Sequence, residues 1–185
     1  AQGTDPLDSL SPLKNGILVL ADDSDYAEVS VAPALSSTTT VEAWLRVTSA
    51  DNTGVIVEQA SHVGGADELV LSLDAGNLQV TYRVADGTSK TAVLTAGIDQ
   101  ADGWVHVAAV LDHENQVAGS VTLYVYFSET GLELTNQTDL RGAIASVGGE
   151  LRIGSATADA SLVAEIDEVR IWNTVRSAAQ LAAAR

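Results

Sequence analysis

Residues 166–172 read Ile166-Asp167-Glu168-Val169-Arg170-Ile171-Trp172, and their reading decides the fold. Polar and apolar side chains alternate, the signature of a β-strand with one buried face. On this alternation Asp167 shares the inward face with Val169 and Ile171. An inward carboxylate needs a partner, because an unpaired one is costly to bury. Backbone donors, an arginine or a cation could each supply it. The flanks, LRIG at 151–154 and a small-residue run closing at Arg185, add another strand before this one and a short helix after it. Ser177 is placed to cap that helix over 178–184.

The rest of the chain carries the same period of two. Leu78, Val80, Tyr82 and Val84 alternate with Gln79, Thr81 and Arg83, and VEAWLRV (41–47) and residues 121–127 follow the same pattern. Residues 104–111 are apolar on both faces, as expected of a central strand covered on each side. Turn signals separate the runs: Asn15-Gly16, Asp22-Asp23-Ser24-Asp25, Gly64-Gly65, Asp74-Ala75-Gly76-Asn77, Asp86-Gly87, Asp102-Gly103 and Gly148-Gly149. About a dozen strands at this spacing predict an all-β, two-sheet antiparallel sandwich with a short C-terminal helix. Residues 1–16, with two prolines, are expected to form an N-terminal arm before one domain over 17–185.

Composition narrows the functions. In 185 residues, 25 acids face nine bases for a formal charge of −16, and Lys14 and Lys90 are the only lysines. Such a chain repels phosphate backbones and anionic lipid surfaces, which argues against nucleic-acid partners. No apolar run approaches the ~20 residues of a spanning helix, so membrane insertion is not expected. With no cysteine, disulfides, thiolate metal sites and cysteine nucleophiles are excluded. The chain opens at Ala1 without methionine, which reads as a processed form or a piece of a larger protein.

Three blocks resemble laminin-G-like domains of the concanavalin A-like lectin/glucanase superfamily. They are ILVLADDSDYAEVSV (17–31) with TTTVEAWLRV (38–47), GWVHVAAVLD (103–112) with VTLYVYF (121–127), and LRIG (151–154) with EIDEVRIWNTVRSAAQL (165–181). The resemblance implies a jelly-roll sandwich acting as a non-catalytic extracellular or cell-surface module. It would bind carbohydrate or a surface protein, with calcium as a candidate cofactor. A structural or adhesion domain of a larger fibre, working through protein contacts, is the alternative. One departure is the hairpin after residues 123–125, where the family's tight turn is replaced by Tyr126-Phe127-Ser128-Glu129-Thr130-Gly131, read as longer and carrying exposed aromatics.

The same superfamily contains β-glucanases, whose active strand carries three carboxylates on one face. Glu165-Ile166-Asp167 begins that pattern, but Val169 and Arg170 stand where the third acid should fall. Arginine cannot serve as that acid, so catalysis is not expected. His106 falls within the apolar strand and reads as structural, while His62 and His113 fall in polar loops without metal-binding spacing. Calcium needs clustered oxygens. Asp22, Asp23 and Asp25, together with Asp167, are the candidate ligands, and 112–115 and Asp67-Glu68 are further oxygen-rich segments. For a sugar, Tyr124 and Tyr126 on the outward face of their strand are the candidate platform, with Arg83, Asn77 and Gln79 as polar contacts on a neighbouring strand. Trp44, Trp104 and Trp172 read as packing residues.

Overall fold

The computed structural model describes residues 16–61, 67–115, 118–157 and 160–185. Residues 1–15 of the expected 1–16 arm, the Gly64-Gly65 turn and His62 lie outside them. Twelve strands form among the described residues: β1 (Leu18–Leu20), β2 (Tyr26–Ala32), β3 (Thr38–Val47), β4 (Gly54–Ser61), β5 (Asp67–Asp74), β6 (Asn77–Arg83), β7 (Ser89–Leu94), β8 (Val105–Asp112), β9 (Ser120–Phe127), β10 (Glu133–Asp139), β11 (Gly149–Gly154) and β12 (Ala164–Trp172). A 3₁₀ turn at Gln100–Asp102 precedes β8, and α1 (Ala178–Ala183) closes the chain.

The strands make two antiparallel six-stranded sheets. The first runs β1-β12-β3-β8-β9-β10 and the second β2-β11-β4-β5-β6-β7. This is the expected sandwich, of jelly-roll type. Between the sheets the core is aliphatic: Val41, Ala43 and Leu45 of β3 and Val107, Ala109 and Leu111 of β8 meet Leu69, Leu71 and Leu73 of β5 and Leu78 and Val80 of β6. Alternation places these residues on one face, and burying that face is the main driving force for the sandwich.

Strand β8 is buried along both faces from Val105 to Leu111, as its sequence implies. Its outward Ala108 and Val110 are covered by Leu181 of α1, with Tyr124 packed beside them. The small residues on β8 leave room for the helix to lie close. Ser177 caps α1 as expected, accepting from Gln180 N while the Gln180 side chain accepts from Ser177 N. No helix among the described residues is long and apolar enough to cross a membrane.

The β5–β6 hairpin turns at Ala75 and Gly76, both with positive φ (47° and 75°), the pairing a two-residue hairpin favours. Gly76 is required there for a second reason: a Cβ would lie 2.6 Å from the Ile98 carbonyl oxygen.

Candidate functional site

The deciding strand departs from strict alternation. Asp167 pairs with Trp44 of β3, yet Arg170, three residues on, pairs with Glu42, two residues back. One extra residue is accommodated as a β-bulge, and Glu168 takes a left-handed φ of 54° to do so. The bulge switches faces. Ala164 and Ile166 point into the core before it, and Val169 and Ile171 pack against the core after it. Asp167 therefore does not share the inward face with Val169 and Ile171. It stands half-buried on the outer face of the first sheet, one oxygen accepting from Glu168 N at 2.8 Å. Among the described residues its second oxygen has no hydrogen-bond partner.

The bulge opens one wall of a hollow of about 500 Å³ on that outer face. Trp44, Trp104 and Ser128 line it from β3, the start of β8 and the β9–β10 turn. Asp167, Glu168 and Arg170 line it from β12, and Ala184 and Arg185 from beyond α1. Sequence alone assigned both tryptophans to packing; they are half-buried and face this hollow. The signal was their outward register, since Trp44 alternates with core residues Ala43 and Leu45. Neither indole N–H donates to the protein among the described residues, whereas Trp172 Nε1 donates to Glu42 at 2.7 Å.

The arginines in and around the hollow are paired. Arg170 binds Glu168 and donates to the Ala184 carbonyl at 3.1 Å. Arg185 pairs with Glu133 and lies over the Tyr126 ring, 4.3 Å from its centroid. Arg46 pairs with Glu165 at 2.5 Å and stacks 5.6 Å from the Trp104 ring centroid. Beneath them Glu42 is fully buried, holding Trp172 Nε1 and, at 3.1 Å, His106 Nε2. Burial pushes His106 down to about 4, against the pull of Glu42. The neutral imidazole then donates from Nε2 to Glu42, which leaves the buried Nδ1 without a partner.

Other sequence expectations are redistributed by the fold. Tyr124 and Tyr126 do face outward on β9, but Tyr124 packs beside Ala108, Val110 and Leu181, and Tyr126 meets Trp44 edge-on and Arg185 face-on. Arg83, Asn77 and Gln79 all lie on β6 in the opposite sheet, whereas β9 is flanked by β8 and β10. These residues do not adjoin the tyrosines. Phe127, which ends β9, is buried rather than exposed. His113 is buried as well, its Nε2 lying 3.0 Å from both the Tyr82 hydroxyl and the Leu140 carbonyl.

The expected calcium ligands are not gathered. The turn after β1 is closed on itself: Asp22 accepts from Ser24 N and Oγ (3.0 and 2.8 Å), and Asp25 accepts from Ala21 N and Asp22 N (2.9 and 3.1 Å). The Ser24 hydrogen bonds hold the Asp22 carboxyl below the usual range. The Asp23 carbonyl accepts from Ser161 N at 2.8 Å, pinning the turn to the segment before β12. Asp67 and Glu68 lie in β5 rather than in a loop, and buried Glu68 accepts from Val147 N at 2.9 Å. Among the described residues no three acidic or histidine side chains converge to hold a metal ion.

A family model described as the concanavalin A-like lectin/glucanases superfamily, laminin-G type, matches residues 21–182. No curated protein matches the sequence. Among solved structures the chain is similar to CBM40 of the Ruminococcus gnavus IT-sialidase, with a TM-score of 0.62 and 16% identity over 86% of this chain and 96% of that one. The same module bound to α2,3-sialyllactose gives a TM-score of 0.61 and 15% identity, covering 87% and 97%. The botulinum neurotoxin serotype G binding domain gives 0.59 and 11%, covering 94% of this chain and 47% of that one. At these identities the likeness is one of fold.

Proposed function

The chain belongs to the laminin-G-like group of the concanavalin A-like lectin/glucanase superfamily, and from that premise we propose that it is a non-catalytic recognition module that binds glycans in the hollow beside the β12 bulge. One observation carries this reading: two tryptophans whose indole N–H groups have no acceptor among the described residues line an open hollow that also presents carboxylates and guanidinium groups. Sugars are held in this way, by stacking of C–H faces on aromatic rings and by hydroxyls bridging polar groups. The R. gnavus CBM40, a binding module of like fold, holds α2,3-sialyllactose. A glycosidase reading is disfavoured, because Val169 packs on the core and Arg170 is committed to Glu168. Placement at the cell surface or outside the cell fits such a module.

The test is a glycan array run with millimolar calcium and again with a chelator. Binding in both buffers, lost in Trp44→Ala and Trp104→Ala, is the expected result. Binding lost on chelation alone would instead return Asp22, Asp23, Asp25 and Asp167 to the role of calcium ligands. Silence in both buffers would overturn the glycan reading.

A second reading, adhesion through protein contacts, is favoured by the adjoining edges of the two sheets. Edge strands β1 and β2 expose Val19, Tyr26, Val29 and Val31, the last at 76%. An uncovered apolar edge strand is a surface for pairing with another chain. Sedimentation showing concentration-dependent oligomers, with no glycan bound, would support it.

A further inference from the structure

We infer that the hollow takes uncharged sugar units and discriminates against glycans ending in sialate or sulfate, an inference that rests on the glycan reading above. The sialyllactose-bound module of like fold would suggest the opposite ligand. At 15% identity, however, its fold says nothing about the charges lining this hollow.

An anionic sugar needs a cation free to meet it, and among the described residues this hollow offers none outside an ion pair, the buried Arg185 Nε alone lacking a partner. Its two arginines, Arg170 and Arg185, are held by Glu168 and Glu133, and Arg46 nearby is held by Glu165. Asp167 remains, a carboxylate with no cation beside it and one oxygen without a hydrogen bond. Arg170, Arg185 and Arg46 are balanced by Glu168, Glu133 and Glu165, so Asp167 leaves the hollow and its ion-pair partners one negative charge in surplus, on a chain whose formal charge is already −16. A ligand carboxylate or sulfate entering it would meet Asp167 and would have to displace an existing ion pair to find a partner. Like-charge repulsion at such range weakens binding by about tenfold.

A neutral pyranose meets the same groups favourably. Its hydroxyls can donate to the free Asp167 oxygen and accept from the two indole N–H groups, while a C–H face lies on an indole ring. Charged acceptors make strong hydrogen bonds with hydroxyl donors, so Asp167 favours a neutral sugar as well as opposing an anionic one.

The inference is tested by titrating the protein with matched oligosaccharides, each with and without a terminal sialic acid or sulfate, lactose and α2,3-sialyllactose among them. The wild type is expected to bind the neutral members about tenfold or more tightly than their anionic counterparts. Trp104→Ala should weaken that binding about tenfold. Asp167→Asn keeps the oxygen that accepts from Glu168 N, so the bulge is retained; it should weaken neutral binding and leave discrimination reduced. Preference for the sialylated or sulfated members would overturn the inference while leaving the glycan reading intact. So would tighter binding of neutral sugars by Asp167→Asn, whereas neutral binding indifferent to Trp104→Ala would overturn the hollow as the glycan site and the inference with it. Absence of binding to every member would overturn both.

Discussion

Trp172 Nε1 donates to the Glu42 carboxylate at 2.7 Å, and this bond ties the last strand to β3 directly beneath the hollow. Glu42 is fully buried, its second oxygen 3.1 Å from His106 Nε2 and its first 4.0 Å from Arg170 Nη1. Three elements, β3, β8 and β12, thus converge on one carboxylate. A buried carboxylate is tolerated when donors surround it, and those donors are stranded when it is removed.

Glu42→Ala should therefore lower stability by about 3 kcal/mol or more. The variant leaves Trp172 Nε1 and His106 Nε2 buried without an acceptor. Urea unfolding measures the loss as a lower midpoint at unchanged slope. A loss below about 1 kcal/mol would mean that the carboxylate contributes little to holding the sheet together.

The same cluster sets a pH dependence. His106 sits near 4 in the folded chain because of burial, with Arg185 and Arg170 adding to the depression and Glu42 opposing it. Unfolded, the imidazole titrates near 6.5. Between these values the unfolded chain binds the extra proton, so this stabilisation is complete above about pH 6.5 and is lost as pH falls toward 4. The loss amounts to a few kcal/mol. Urea midpoints at pH 7 and pH 4.5 should differ by more in the wild type than in His106→Gln.

Much of this was legible in the sequence, and the exceptions have physical reasons. The twelve strands and the capped helix follow from period two, turn residues and Ser177, all local signals. The bulge was present but misread. Apolar Leu162, Ala164 and Ile166 are in one phase and Val169 and Ile171 in the other, so the slip falls at Asp167-Glu168. Reading only the second phase turned Asp167 inward. The hollow was not legible, because Trp44, Trp104 and Arg185 are brought together by strand order rather than by sequence spacing. Strand order also separates Arg83 from Tyr124 and Tyr126.

Glu168 carries the bulge at φ 54°, a conformation that β-branched side chains resist. Glu168→Val should cost about 1–3 kcal/mol. Glu168→Gly relieves the backbone while losing only the half-exposed pair with Arg170, worth about 1 kcal/mol or less, so its stability should stay close to wild type. Thermal melts of the two variants should rank Gly above Val. The reverse order would remove the bulge as the reason for the strand's change of face.

Inside the sandwich, Tyr82 and His113 form a buried polar pair, with the hydroxyl 3.0 Å from Nε2. Tyr82→Phe should cost about 1 kcal/mol. Gly119→Ala should cost about 1–3 kcal/mol, because the new Cβ would lie 2.1 Å from His113 Cδ2. Burial also pushes the Tyr82 phenol up to about 12. The unfolded phenol ionises near 10, so this contribution to stability is intact below pH 10 and declines from there toward 12. Absorbance titration should find one tyrosine unionised until the protein unfolds.

Leu181 links stability to the hollow without touching it. It is fully buried on Ala108 and Val110, and it is the only buried residue of α1. Leu181→Ala should therefore cost about 2–5 kcal/mol, the usual range for an emptied core site. Ala184 and Arg185, which follow α1, line the hollow, and the Ala184 carbonyl accepts from Arg170. Loosening the helix should free Arg170 and Arg185 from their fixed positions. Leu181→Ala is then expected to weaken glycan binding at a temperature where circular dichroism still reports a folded sandwich. Binding unchanged in a variant that is destabilised to this degree would mean that the segment after α1 takes no part in recognition, leaving Trp44, Trp104 and Asp167 to form the site alone.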